Sequence, residues 1–183
     1  MTHIDLHSAL QESLAQPFHD LVTRRTGAAV RTFVEHQLAG LADGTVAYLD
    51  FSRIGVLDRS CADEFVAKLM LPLSASLPGR NGYVVLDGLN EEHLETIEAV
   101  LLTHGLALVV QISEGAAHLV GAVTDLERQL WELVMRGGGA DVDGLADAAG
   151  IDSTACRDLL DSLATRRLLR RDQDAFIPLG TAA

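Results

Sequence analysis

Basic residues are scarce in this chain. Fourteen lysines and arginines stand against 26 aspartates and glutamates, for a net charge of −12 over 183 residues. Such a balance excludes bulk electrostatic attachment to a nucleic-acid backbone, which needs clustered positive charge. Cysteine is nearly absent: Cys61 and Cys156 are the only two, and both sit inside helical patterns. Two cysteines do not make a disulfide framework, and they point to a reducing compartment. Aromatics make up 4% of the residues, so Leu, Val, Ile and Ala must build the core. No apolar run approaches the ~18–20 residues that span a bilayer. The opening MTHIDLHSALQESL has no basic segment followed by an apolar one, so a signal peptide is not expected. A glycine-rich phosphate loop, a nucleophile elbow and Cys/His zinc spacing are also missing. These absences lead to the expectation of a bacterial-type cytoplasmic protein with reduced thiols, no cofactor, no metal site and no catalytic residues.

The most informative stretch runs from Leu49 to Met70, LDFSRIGVLDRSCADEFVAKLM. Val46 to Phe51 is a short apolar, partly β-branched run, as in a buried strand. Ile54, Val56 and Leu57 carry apolar surface through a turn. From Asp58 the period changes, and Ala62, Phe65, Val66, Leu69, Met70 and Leu73 recur at helical spacing. Strand, turn and helix in this order open a βαβ unit, and the turn falls at the strand's carboxyl end, where open α/β sheets place their sites. Asp58 and Ser60 are both good N-cap residues. Ser60 with Asp63 three positions on makes a loose capping box.

The string Asp50-Phe51-Ser52 followed by Asp58-Arg59-Ser60 resembles the STAS domain of anti-sigma-factor antagonists, whose pattern is Asp-Leu-Ser, an apolar stretch, then Asp-Ser-Ser-Gly at a helix start. The longer string, DFS through SCADEF, is more similar still to the uncharacterised STAS-like family, over roughly the first two thirds of the chain. The TRRTGAAVR stretch before the central strand is shared with that family as well. The chain departs from the STAS pattern at Arg59, where a small or apolar residue is usual, and at Cys61-Ala62-Asp63, where a glycine is usual. The resemblance implies a layered α/β sheet of mostly parallel strands. It also implies a regulatory phosphosite at Ser60, and a partner that is a histidine-kinase-like ATPase acting as a serine kinase. Asp50, Ser52, Arg53, Asp58, Arg59 and Asp63 are the partner-binding candidates that go with it.

Around this centre the order reads β-α-β-α-β-α-β-β, with residues 1–122 as the α/β part. Met1 to Gln16 is weakly patterned and is expected as an exposed, partly mobile terminus. His3, Asp5 and His7 would share one face of an extended strand, the arrangement from which a metal site could be built. Phe18 to Val22 reads as the first strand. Thr23 or Thr26 caps a helix with Val30, Phe33, Val34, Leu38 and Leu41 on its apolar stripe, and Asp43-Gly44 stops it. Pro72, Pro78, Gly79 and Asn81-Gly82 read as a loop. Tyr83 to Asp87 is a strand, and Asn90 caps a helix with Glu91 and Glu92 in its first turn. Leu106 to Ile112 is a strand that His118 to Val123 joins antiparallel, after a turn at Ser113-Glu114-Gly115. His104, just before Gly105, suits a helix C-terminus better than a catalytic base.

Residues 123–183 change character. Three helical patterns follow one another, separated by Gly137-Gly138-Gly139 and by Gly150. Leu168 to Leu179 reads as a hairpin. This order resembles a winged helix-turn-helix, and two separately packed units are expected, with a boundary near Val120 to Asp125. The third helix, Ser153 to Arg167, carries Asp158 and Asp161 beside Arg157, while Arg166, Arg167, Arg170 and Arg171 cluster toward the wing. Two uses stay open for this unit: protein contact, including homodimerisation, or DNA binding through those five arginines. The expectation is a non-enzymatic regulatory interaction protein without a membrane partner; the alternative is a transcriptional regulator with the α/β part as its sensor.

Overall fold

The computed structural model describes residues 2–14, 19–74, 82–112, 117–137 and 141–179. Five strands form one sheet in the order β1-β2-β3-β4-β5: Thr2–Asp5, Val46–Asp50, Tyr83–Leu89, Ala107–Ile112 and Ala117–Gly121. The first four are parallel and β5 returns antiparallel along β4. This is an α/β architecture with a mostly parallel sheet flanked by helices. No helix among the described residues is long and apolar enough to cross a membrane.

The strand order explains the layers. Each parallel strand lies next to its predecessor, always advancing in one direction. Right-handed crossovers then put every connecting helix on the same face. That face buries Ile4, Ala47, Leu49, Val84, Leu86, Leu108 and Val110 against α1 (Leu6–Leu14), α2 (Arg24–Ala39), the central helix and α5 (Glu91–Thr103). The alternate positions, Tyr48, Tyr83, Val85, Ala107, Val109 and Leu119, point the other way. They share a second hydrophobic cluster with Leu130, Trp131, Val134, Leu145, Leu160, Leu163 and Phe176. Those residues come from α6 (Asp125–Gly137), α7 (Val142–Ala149), α8 (Ser153–Thr165) and the hairpin β6 (Arg170–Asp172) and β7 (Ala175–Ile177). A buried polar contact joins the two: the Tyr48 hydroxyl donates to the Leu179 carbonyl at 2.9 Å, while within the C-terminal part Trp131 Nε1 donates to the Leu168 carbonyl at 3.1 Å. The three helices and hairpin pack on one another, and the cluster they bury runs on without a break into the other face of the sheet. They roof the sheet face that the crossovers leave bare.

Three local expectations are corrected. The first strand is Thr2–Asp5, not Phe18 to Val22. It pairs with β2 from Thr2↔Ala47 to Asp5↔Asp50, and Leu6, Ala9 and Leu10 behind it are fully buried, so the start of the chain is part of the core. Phe18 lies outside the described residues, and Leu21 makes a single parallel bridge to Leu57. Second, His7 stands in α1, so His3, Asp5 and His7 do not share a strand face. No group of three or more His, Cys, Asp or Glu among the described residues is arranged to hold a metal ion. Third, Pro72 lies inside a helix, α4 (Lys68–Ser74), which continues because Leu69, Met70 and Leu73 are all buried. Pro78, Gly79, Asn81 and the turns at Ser113-Glu114-Gly115 and Gly138-Gly139 lie outside the described residues.

Candidate functional site

The turn after β2 is held from three directions. Within it, the Asp50 carboxylate accepts from the Ser52 N–H at 2.8 Å, and the Ile54 N–H returns to the Phe51 carbonyl at 2.9 Å. From one side, residues 19–23 run alongside it. Gly55 N–H donates to His19 O at 2.8 Å, Leu21 N–H to Val56 O at 2.7 Å, Asp58 N–H to Leu21 O at 3.0 Å, and Val56 N–H to Asp20 Oδ1 at 2.9 Å. From beneath, His93 of α5 is buried and its Nε2 lies 2.8 Å from the Gly55 carbonyl, so that nitrogen carries the proton. His93 belongs to a stretch whose visible features are acidic. Nothing local marks it as the partner of a turn 38 residues away.

Asp58 caps the helix that follows. Its Oδ1 accepts from the Cys61 N–H at 2.6 Å and from the Ser60 hydroxyl at 2.9 Å, and its Oδ2 accepts from the Thr23 N–H at 3.0 Å. Burial alone would raise its pKa, but these hydrogen bonds outweigh it and hold the carboxyl below its ordinary 3.8. Ser60 is thus not the N-cap, and no capping box forms with Asp63. α3 (Arg59–Ala62) passes at Asp63 into a π-helical turn, Asp63–Ala67, before α4. Such turns concentrate at functional sites. The Asp63 carboxylate meets His104 Nε2 at 2.6 Å and Arg24 at 2.9 Å. The His104 hydrogen bond, then Arg24, hold Asp63 below its ordinary pKa. Glu64 pairs with Lys68 at 2.5 Å and Arg31 at 3.1 Å, and Lys68 chiefly lowers its pKa. His104 itself is the C-cap residue of α5, and its ring reaches Asp63.

Ser60 is half-buried and opens onto a pocket of about 330 Å³ lined by Arg24, Arg59, Asp63, Val100 and Thr103. Arg59 donates to the Thr103 hydroxyl at 3.3 Å, and Arg24 is 61% exposed. Two guanidinium groups therefore flank the serine, one of which, Arg24, comes from a helix that sequence reasoning had not linked to it. Val56, 53% exposed, and Leu102, 56% exposed, add apolar surface on the turn and near the end of α5. The neighbouring Cys61 thiol is no nucleophile: burial, with Asp58 and Glu64 adding negative charge, pushes its pKa up to about 12.

The remaining partner-binding candidates divide. Ser52 is exposed, and Arg53 reaches across to Asp5 of β1 at 3.1 Å. Asp5, Asp50 and Asp87 lie in register at the ends of three neighbouring strands. Each accepts from backbone just beyond it: Asp5 from His7, Asp50 from Ser52, Asp87 from Gly88. They are turn-formers, and none faces Ser60's pocket. Matched against models of known protein families and against curated proteins, the sequence finds no counterpart in either.

The five arginines of the C-terminal unit that are candidates for DNA binding are not presented together. Arg166 is turned inward to Glu127 at 3.0 Å and to the Ala122 carbonyl. Arg167 lies over the Tyr83 ring. Arg171 pairs with Asp161 at 2.7 Å and stacks on Phe176. Arg170 is half-buried beside Tyr48, and Arg157 is exposed on α8.

Proposed function

We propose that the protein is a non-enzymatic regulatory module that docks a protein partner through the Asp50–Ser60 turn and the helix after it, with Ser60 as its regulated residue. One observation carries this: a half-exposed serine hydroxyl opens onto a pocket flanked by Arg24 and Arg59, at the carboxyl end of a central strand. A phosphate on Ser60 adds roughly −1.5 to −2 charges. Those two guanidinium groups accommodate it within the fold, while an acidic or closely fitted partner surface does not, so the partner is released. The STAS-like resemblance of DFS through SCADEF supports the same role, and with it a histidine-kinase-like ATPase as the serine kinase, in the cytoplasm. The helix-helix-helix-hairpin order supports the winged-helix likeness for residues 123–183. We assign that unit to covering the sheet and to protein contact, because Arg166 and Arg171 are spent on internal ion pairs.

The test compares Ser60→Asp and Ser60→Ala for binding to the ATPase encoded nearest the protein's own gene, with melting temperatures alongside. Ser60→Asp weakens binding and leaves the fold intact; Ser60→Ala binds like wild type. If both bind like wild type, the switch is wrong. Sub-micromolar, salt-sensitive affinity for duplex DNA would move the function to the C-terminal unit instead.

A further inference from the structure

Thr23 has a backbone that does not suit its side chain. Three non-glycine residues among those described have positive φ: Thr23, Arg167 and Gln173. Thr23 alone of them is β-branched, and its φ of 73° with ψ of 147° falls beside the region that only glycine ordinarily fills. Its neighbours hold it there. Leu21 is fastened by both backbone groups to Val56 and Asp58, and α2 begins at Arg24. Between these fixed ends the Thr23 N–H is directed at Asp58 Oδ2. The other oxygen of the same carboxylate receives the Ser60 hydroxyl and the Cys61 N–H. One carboxylate thus ties together a strained residue, a helix start and the candidate regulatory serine.

We propose that this is a trigger: negative charge at residue 60 is relayed to the start of α2 by displacing Asp58 from Thr23. The proposal rests on Ser60 being the regulated residue. Ser60 now donates a hydrogen bond to Asp58. An anionic group in its place has no proton to give and repels the carboxylate. Asp58 then moves, Thr23 loses the contact that fixes its peptide, and φ relaxes to negative values. The first turn of α2 lets go, where Gly27 N–H now returns to Thr23 O at 3.1 Å. Arg24, at the head of that turn, exchanges Asp63 and Glu64 for the new anion in the shared pocket. The regulated output is therefore a moved helix start on top of a changed charge.

Amide hydrogen exchange on the full chain, without any partner, tests this. In Ser60→Asp the amides of Thr23 and Gly27 exchange about tenfold faster or more than in wild type, while those of Val85 and Val109 in the sheet keep their rates. Thr23→Gly, which suits positive φ, melts at a higher temperature than wild type although it gives up the Thr23 hydroxyl's cap on the Thr26 N–H, because the strain relieved exceeds that small loss. In the double variant the Gly27 amide stays within about twofold of the wild-type rate, because no strain is left to release. Wild-type exchange in Ser60→Asp, a lower melting temperature for Thr23→Gly, or a double variant that opens as far as Ser60→Asp would each overturn the trigger. The Thr23→Gly melt decides even if Ser60→Asp folds poorly. Since no partner is present, failure here leaves the partner-release reading to its own binding assay.

Discussion

Gly27→Ala should destabilise the protein, against the ordinary rule for helices. In an exposed helix interior, replacing glycine by alanine gains ~1 kcal/mol. Gly27 is instead buried where α2 crosses the start of the central helix. A Cβ placed on it would stand 2.8 Å from the Cys61 carbonyl oxygen, 3.0 Å from Glu64 Cβ and 3.2 Å from Cys61 Sγ. The first two cannot rotate aside, since one is backbone and the other is fixed to it. The two helices must therefore separate by about 0.5 Å or more, an overpacking that costs ~1–3 kcal/mol. Set against the propensity gain, the net loss centres on about 1 kcal/mol, or about 2–4 °C in melting temperature for a chain of this size. Gly40→Ala, at the end of the same helix, is the control. Its φ is −85°, and the nearest atom to an added Cβ is the Gln37 carbonyl oxygen at 3.6 Å. It should be neutral or gain ~0.4–1 kcal/mol. Calorimetric melts of the two variants beside wild type settle the matter. If Gly27→Ala melts at or above wild type, or Gly40→Ala loses as much, the close helix contact is not what places glycine in TRRTGAAVR.

Two further outcomes follow from the charges. Asp5, Asp58, Asp63 and Glu64 all have folded-state pKa values below their ordinary 3.8 or 4.5. The unfolded chain therefore takes up protons first on acidification, so their stabilisation is complete above about pH 5 and is lost as pH falls through their lowered values. Melts between pH 6 and pH 3 should show that decline, and Asp63→Asn should flatten it; an unchanged slope would remove Asp63 from the account. Glu127→Gln should cost much more than Arg171→Ala. Glu127 is buried, accepts from both the N–H and the hydroxyl of Thr124, and faces a largely covered Arg166, whereas Arg171 and Asp161 are about half and two-fifths exposed. Urea titration should give a loss of ~3 kcal/mol or more for the first and under ~1 kcal/mol for the second, and equal losses would contradict the inward role of Arg166.

The change of period at Asp58 made the central strand and helix legible, since Ala62, Phe65, Val66, Leu69, Met70 and Leu73 are all buried. The caps at Thr23, Asp58 and Asn90 were legible for the same kind of reason, because a short oxygen-bearing side chain precedes each apolar stripe. Strand β1 was not: four residues carry a single buried apolar side chain, Ile4, and the helix behind it buries a histidine in its apolar stripe. The site was readable at Ser60, Asp58 and Arg59, which are neighbours in the chain. It was unreadable at Arg24, His93 and His104, which arrive from other elements, and at Thr23, whose strain is a property of the backbone alone. The shared core had a signal that pattern reading passed over. Runs such as YVVL and LALVV are apolar at every position, as strands covered on both faces are, yet all the crossover helices serve one face.

That one-sided winding sets an order of events during synthesis. A nascent chain that has reached Gly121 holds all five strands and every helix of the first layer. It still presents Tyr48, Tyr83, Val85, Val109 and Leu119 to water. Their cover, residues 123–179, is translated only afterwards, roughly sixty residues that take about 3–12 s at ~5–20 residues per second. Through that interval the exposed sheet face is open to non-native contacts with neighbouring chains. A chain stalled or cleaved after residue 122 remains in that condition and becomes a client for holdase chaperones.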